Sequence, residues 1–90
     1  MTSSPGARTA WHTHPAGQLI YVIAGLGWAQ KTREPKRVVE AGDTIWFEPG
    51  ELHWHGASDT KAMTYVAIAE AIDGSATDWG EHVTDKDYLS

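Results

Sequence analysis

An all-β sandwich or barrel is the fold class this sequence predicts, and three observations predict it. Runs rich in Trp, Thr, Tyr, Val and Ile recur at intervals of about eight to twelve residues. Turn-forming Gly, Pro and Asp stand between them. From Trp11 to Ile23 no apolar pattern returns every three to four residues. Ninety residues make one domain's worth of chain, so a single domain over 1–90 is expected.

The elements follow in order. Ala7 to His14 reads as a first strand, ended by Pro15, Ala16 and Gly17. Gln18 to Ala24 is a second strand, stopped by Gly25-Leu26-Gly27, and Trp28 to Thr32 is a third. Arg33 to Lys36 is charged and holds a proline, which suits a solvated hairpin loop. Arg37 to Glu40 is a short strand, and Ala41-Gly42-Asp43 the next turn. Thr44 to Phe47 is apolar and favours extended structure; Pro49-Gly50 then closes it in a tight turn from Glu48 to Glu51. Leu52 to Ala57 is extended again, Ser58 to Lys61 turns, and Ala62 to Glu70 is a strand with Met63, Tyr65, Ala67 and Ala69 on one face. In the tail, Asp73 to Thr77 is loop-like, and Thr84 can cap a single helical turn through Tyr88.

Composition narrows the function. Twelve acidic against seven basic residues leave a net charge of −5, which repels nucleic acid and anionic lipid. The absence of cysteine removes disulfides, thiolate zinc sites, iron–sulfur clusters and thiol catalysis together. No apolar stretch is long enough to span a membrane, and Met1 to Pro5 lacks the features of a signal peptide, so a cytoplasmic protein is expected.

Four of the five histidines fall in two pairs. His12 and His14, two apart on a strand, leave one face, while Trp11 and Thr13 leave the other. His53 and His55 repeat the arrangement, with Trp54 pointing away to cover the outer face or a subunit contact. Two such strands side by side bring three or four imidazoles to one point, which is what a divalent metal ion needs. Gln18 opens the strand after the Pro15–Gly17 turn, and its amide oxygen can complete the set. His82, beside Glu81 in the tail, reads as a surface residue.

These residues carry a resemblance to a known family. The run His12-Thr13-His14-Pro15-Ala16-Gly17-Gln18, between Gly6 and Gly25, resembles the first cupin motif, with Gln18 in place of the usual Glu. The run from Gly42 through the turn at Pro49 and Gly50 to His53 resembles the second, with Glu48 where a Pro is common and Ala57 where an Asn closes the motif. Longer strings, from Pro5 to Pro15, from Gly27 to Gln30, from Pro49 to Ala57 and from Asp78 to Asp85, are similar to a narrower group of small bacterial cupins. That group includes manganese-dependent hydroxynitrile lyases and cupin partners of carboxymuconolactone decarboxylase-like proteins. The resemblance implies a double-stranded β-helix, a jelly-roll-like barrel, with His12, His14, Gln18 and His53 as the metal shell. It also implies strands before the first motif; with only about ten residues ahead of His12, the expected barrel is either incomplete in one chain or completed by a second.

Three imidazoles and an amide leave the ion's charge uncancelled, which favours Lewis-acid chemistry on a small oxygenated substrate. The donor set does not choose among manganese, iron, nickel, copper and zinc; the resemblance favours manganese or iron. His55 is the leading candidate for a general base, the alternative being a residue that orients a ligand. Tyr65 can donate a hydrogen bond to a bound oxygen, the alternative being packing. Ile20 and Val22, in phase with Gln18, would add an apolar lining, and Leu19, Tyr21 and Ile23 would face outward. Three functions compete: a lyase cleaving a cyanohydrin, an iron dioxygenase, and a non-catalytic module that binds a metal or small ligand. A homodimer is expected, because so small a chain with five tryptophans has little interior in which to bury its outer apolar face.

Overall fold

The computed structural model describes residues 1–74 and 76–90. Among them the strands are β1 (Thr2–Ser3), β2 (His12–Thr13), β3 (Gln18–Lys31), β4 (Arg37–Glu40), β5 (Thr44–Phe47), β6 (His53–Ala57), β7 (Met63–Ile68) and β8 (Asp78–Trp79). One short helix, α1 (Asp85–Leu89), follows them. The strands form a curled antiparallel half-barrel in the order β1-β7-β3-β6-β2-β8, with β4 and β5 also pairing β3. The all-β expectation holds. No helix among the described residues is long and apolar enough to cross a membrane.

β3 is where the structure departs most from the expected element order. The stop expected at Gly25-Leu26-Gly27 is no stop, and one strand of 14 residues runs through it. Its first half pairs β5 and β7; its second half pairs β4 and β6. A bulge between Val22 and Ala24 and a positive φ of 88° at Gly25 bend the strand from one set of partners to the other. Gly25 is required there because a Cβ would lie 1.9 Å from the carbonyl oxygen of Ala62. The glycines that resemble a turn are thus the crease of a continuous strand.

The expected first strand, Ala7 to His14, is strand only at His12–Thr13. Upstream of it the backbone changes partner. The N–H of Thr9 donates to the carbonyl of His55 at 2.9 Å, whereas that of Trp11 donates to Glu81 at 2.8 Å. N–H groups two apart on a regular strand point to the same side, and these two donate to opposite sides, so no regular strand runs through Thr9 and Trp11. β1 and β8 were not foreseen from the sequence. The ends of the other strands fall within two residues of expectation, and Thr84 caps α1 by accepting from the N–H of Asp87.

Inside the curl, Ile20, Val22, Ala29, Val39, Ile45, Phe47, Ala57, Met63 and Tyr65 form the main core. The alternation in β3 is the cause: Gln18, Ile20 and Val22 are buried while Leu19, Tyr21 and Ile23 are exposed. A second cluster lies outside the curl, where Trp54, Val83 and Tyr88 pack with Trp11 and Trp28. Trp54 does point away from the histidine face, but it is fully buried, and the chain's own tail covers it. The Tyr88 hydroxyl donates to the carbonyl of Ala57 at 2.5 Å. Arg8 donates to the Val83 carbonyl, pairs with Asp85 at 2.6 Å and lies over the Tyr88 ring.

Candidate metal centre

β2 and β6 are antiparallel neighbours, and their register sets His12 directly opposite His53. Residues so paired share a face, so the two-residue spacing carries His14 and His55 to that face as well. The turn after His14 is closed by the Gly17 N–H donating to its carbonyl at 3.1 Å, and it returns the chain to Gln18 at the head of β3. All five side chains are buried, His53 completely.

Three of the imidazoles are fixed in one tautomer by backbone carbonyls. Nδ1 of His12 lies 2.7 Å from the Ala10 carbonyl oxygen, Nδ1 of His14 2.7 Å from that of Ala76, and Nδ1 of His53 2.8 Å from that of Glu51. A carbonyl only accepts, so each Nδ1 carries the hydrogen and each Nε2 of a neutral ring is left with a lone pair. Burial pushes the pKa of His12 down and that of His53 down to about 4, with the neighbouring imidazoles adding to the effect. Both rings are therefore neutral near pH 7. His53 is further held by the ring of Phe47, stacked on it at 3.6 Å with 7° between planes.

Ligand nitrogens of His12, His14 and His53 lie within 4.8 Å of one another. Two bonds of roughly 2.2 Å span at most about 4.4 Å, so small ring movements suffice to close the set on one ion. Two further observations fit a cation. Nε2 of His14 is buried without a hydrogen-bond partner. Oε1 of Gln18 lies 3.3 Å from Nε2 of His53, so an amide oxygen faces an imidazole lone pair. Two acceptors side by side need an electropositive atom between them; otherwise the amide must turn over and present its NH2 group. The donor set is three neutral nitrogens and one neutral oxygen, a combination that first-row divalent metals accept.

His55 stands apart from this trio. Its ring centroid is 5.6 Å from that of His12 and 6.4 Å from that of His53, and its Nδ1 is buried without a partner. Burial first, then the charges of His12, His53 and His14, hold its pKa down to about 3. Tyr65 reaches across from β7 and sets its ring edge-on to His55 at 5.3 Å. Tyr65 also belongs to the apolar core that holds Ile20, Val22 and Met63. His82 is exposed, as expected. A groove of about 360 Å³ bounded by Trp11, Thr32, Leu52, Gly80 and Glu81 holds none of these histidines, so donor atoms rather than concavity locate the site.

Two neighbours of the site were not read from the sequence. Phe47 was assigned only to a strand, although an aromatic in phase with the core just before a Pro-Gly turn is a usable signal. Trp79 lies opposite His12 in the β2–β8 pairing, with ring centroids 5.0 Å apart, on a strand too short for any periodicity to reveal.

Residues 1–69 match the cupin domain family. The chain is 58% identical over 88 residues to an (R)-mandelonitrile lyase of Granulicella tundricola; the match takes in 98% of this chain and 67% of that protein. The crystal structure of a cupin-like protein from Thermotoga maritima superposes with a TM-score of 0.91 at 34% identity, over 97% of this chain and 65% of the other. This chain therefore spans about two thirds of each of those two relatives. A DMSP lyase from Ruegeria pomeroyi superposes with a TM-score of 0.71 at 22% identity, over 87% of this chain and 39% of that one, which is a likeness of fold alone.

Proposed function

This chain belongs to the cupin family, and on that footing we propose that it is a metal-dependent lyase that cleaves a cyanohydrin to a carbonyl compound and hydrogen cyanide. One observation carries the reading: three buried imidazoles whose backbone hydrogen bonds leave their Nε2 lone pairs turned toward one another. The relative named as an (R)-mandelonitrile lyase supports the choice of reaction. His12, His14, His53 and Gln18 would hold the ion, with manganese or iron favoured by the resemblance to small manganese-dependent cupins. When bound, it supplies a Lewis acid whose 2+ charge no carboxylate of the donor set cancels, and which polarises an oxygen placed beside it.

The chain's own groups do the rest. Neutral His55 takes the substrate's hydroxyl proton. The carbon–cyanide bond breaks with its electron pair leaving on cyanide, and the oxygen's electrons close the carbonyl. The imidazolium then gives its proton to cyanide, and hydrogen cyanide departs. A pKa near 3 makes His55 a weak base in the resting site, and the negative charge that develops on cyanide beside it is what favours the charged ring during the step. Tyr65 donates to the substrate oxygen or to cyanide. Burial of the four imidazoles, none more than 4% exposed, keeps out water that would compete for the proton.

The test is cyanide release from mandelonitrile by protein loaded with Mn²⁺ or Fe²⁺, repeated after chelation and in His53→Ala. Release that chelation and the substitution each lower by at least about 100-fold supports the reading. Oxygen uptake with a β-diketone and no cyanide release replaces it with the dioxygenase. Neither activity, with metal still bound, replaces it with a binding module.

A further inference from the structure

The metal-binding face ends at β8, the edge strand of the half-barrel, and β8 offers that face one large side chain. Trp79 is the cross-strand partner of His12, so the two side chains stand on the same side of the sheet. Their rings lie 5.0 Å apart with 44° between planes. His12 is 1% exposed and Trp79 is 66% exposed. The indole thus touches a metal-binding imidazole with one part of its surface and leaves the rest open. An aromatic of that size is seldom left so open unless something covers it.

The surroundings say what would cover it. Beyond the imidazoles the site meets an aromatic ring, that of Tyr65, edge-on to His55 at 5.3 Å and packed into the apolar core with Ile20, Val22 and Met63. An oxygen held near the Nε2 atoms of the triad would put its carbon substituents within reach of the indole that touches His12. A planar apolar group suits an indole better than a flexible or charged one, because ring faces stack. Trp79 also lies ten residues beyond the stretch that matches the cupin family, so nothing in that match assigns it a role.

We propose that Trp79 is the specificity-determining residue of the site and forms the stacking wall for an aryl substituent on the carbon that bears the substrate oxygen. The substrate class is then aromatic α-hydroxynitriles rather than short aliphatic ones. This rests on the lyase reading for the chemistry but not for the binding. Trp79 acts on the substrate's aryl group and takes no part in proton transfer.

The experiment compares the metal-loaded wild type with Trp79→Ala and Trp79→Phe. Metal content is measured on each. kcat and KM are taken for mandelonitrile and for acetone cyanohydrin, and binding of benzyl alcohol and of isopropanol is followed by ligand-observed NMR. Trp79→Ala is expected to raise KM for mandelonitrile about tenfold or more and to weaken benzyl alcohol similarly. Acetone cyanohydrin and isopropanol should change less than about twofold, and Trp79→Phe should recover most of the aryl preference. If no variant releases cyanide from either substrate, the lyase reading fails, and the benzyl alcohol series still decides the role of Trp79. Equal losses for aryl and alkyl ligands, or a Trp79→Ala chain that loses its metal and both ligands together, would overturn the proposal in favour of packing against His12. Unchanged benzyl alcohol binding in Trp79→Ala would overturn it as well.

Discussion

Each imidazole of the candidate metal centre, His12, His14 and His53, is oriented by a backbone carbonyl and buried, and the pairing of the histidines and its cause in the fold differ in legibility. Histidines two apart on strands can be read from the chain, and so can their common face. The carbonyls of Ala10, Glu51 and Ala76 that fix the rings have no side-chain signature, because any residue offers one. Only the fold brings Ala76 to His14, across 62 positions. Desolvation in turn makes stability depend on pH. His53 titrates near 4 and His55 near 3 in the folded chain, against about 6.5 when unfolded. Between those limits the unfolded chain binds more protons, so stability is full above about pH 6.5 and falls as pH drops toward 4. The slope reaches about 1.4 kcal/mol per pH unit for each proton taken up. Thermal melts of metal-free protein should therefore show a steadily falling midpoint from pH 7 to pH 4.5. A flat midpoint over that range would mean that these rings remain solvated.

At the scale of elements, β3 does two jobs that look like two strands in the sequence. Its alternation from Gln18 to Ile23 was legible, and so was the face that each residue takes. Its continuity was not, because Gly25 serves a crease with the same residue type that would serve a turn. What distinguishes the two is the Ala62 carbonyl, more than 30 residues away in sequence and packed where a Cβ would stand. β8 was illegible for a simpler reason: two residues carry no period. Gly25→Ala meets both a positive φ and this carbonyl, and should cost about 3 kcal/mol or more in denaturant unfolding. Gly50→Ala has a positive φ of 74° with nothing within 4 Å, and should cost only about 1 kcal/mol. Equal costs would show that Ala62 yields freely and that the crease is not fixed by close packing.

The whole molecule closes one outer face and leaves another open. The tail covers Trp54 with Val83 and Tyr88, held by Arg8 and by Lys36, whose ammonium donates to the Tyr88 carbonyl at 2.7 Å and lies 3.5 Å over Trp28. Across the molecule, Leu19, Tyr21, Ile23, Trp46, Val66 and Ile68 stay exposed. They form one patch, because Leu19 pairs with both Trp46 and Ile68, and Tyr21 with Val66. Six half-exposed side chains of this size present on the order of 500 Å², at the upper end of what a monomer leaves open. We propose that a second copy of the chain covers this face, an isologous contact in which each patch meets its twin. Light scattering at micromolar concentration should give twice the chain mass, and Tyr21→Lys with Val66→Lys should halve it. A wild-type monomer would contradict the pairing and leave the patch to another partner.

The claim on which the chemistry depends is that residues far apart in the chain close around one cation. Elemental analysis of the purified protein, set beside that of the His12→Ala and His53→Ala chains, tests it most directly. The account predicts close to one divalent ion per wild-type chain and almost none in either folded variant. A wild type without metal after reconstitution, or variants that hold it as firmly, would contradict it.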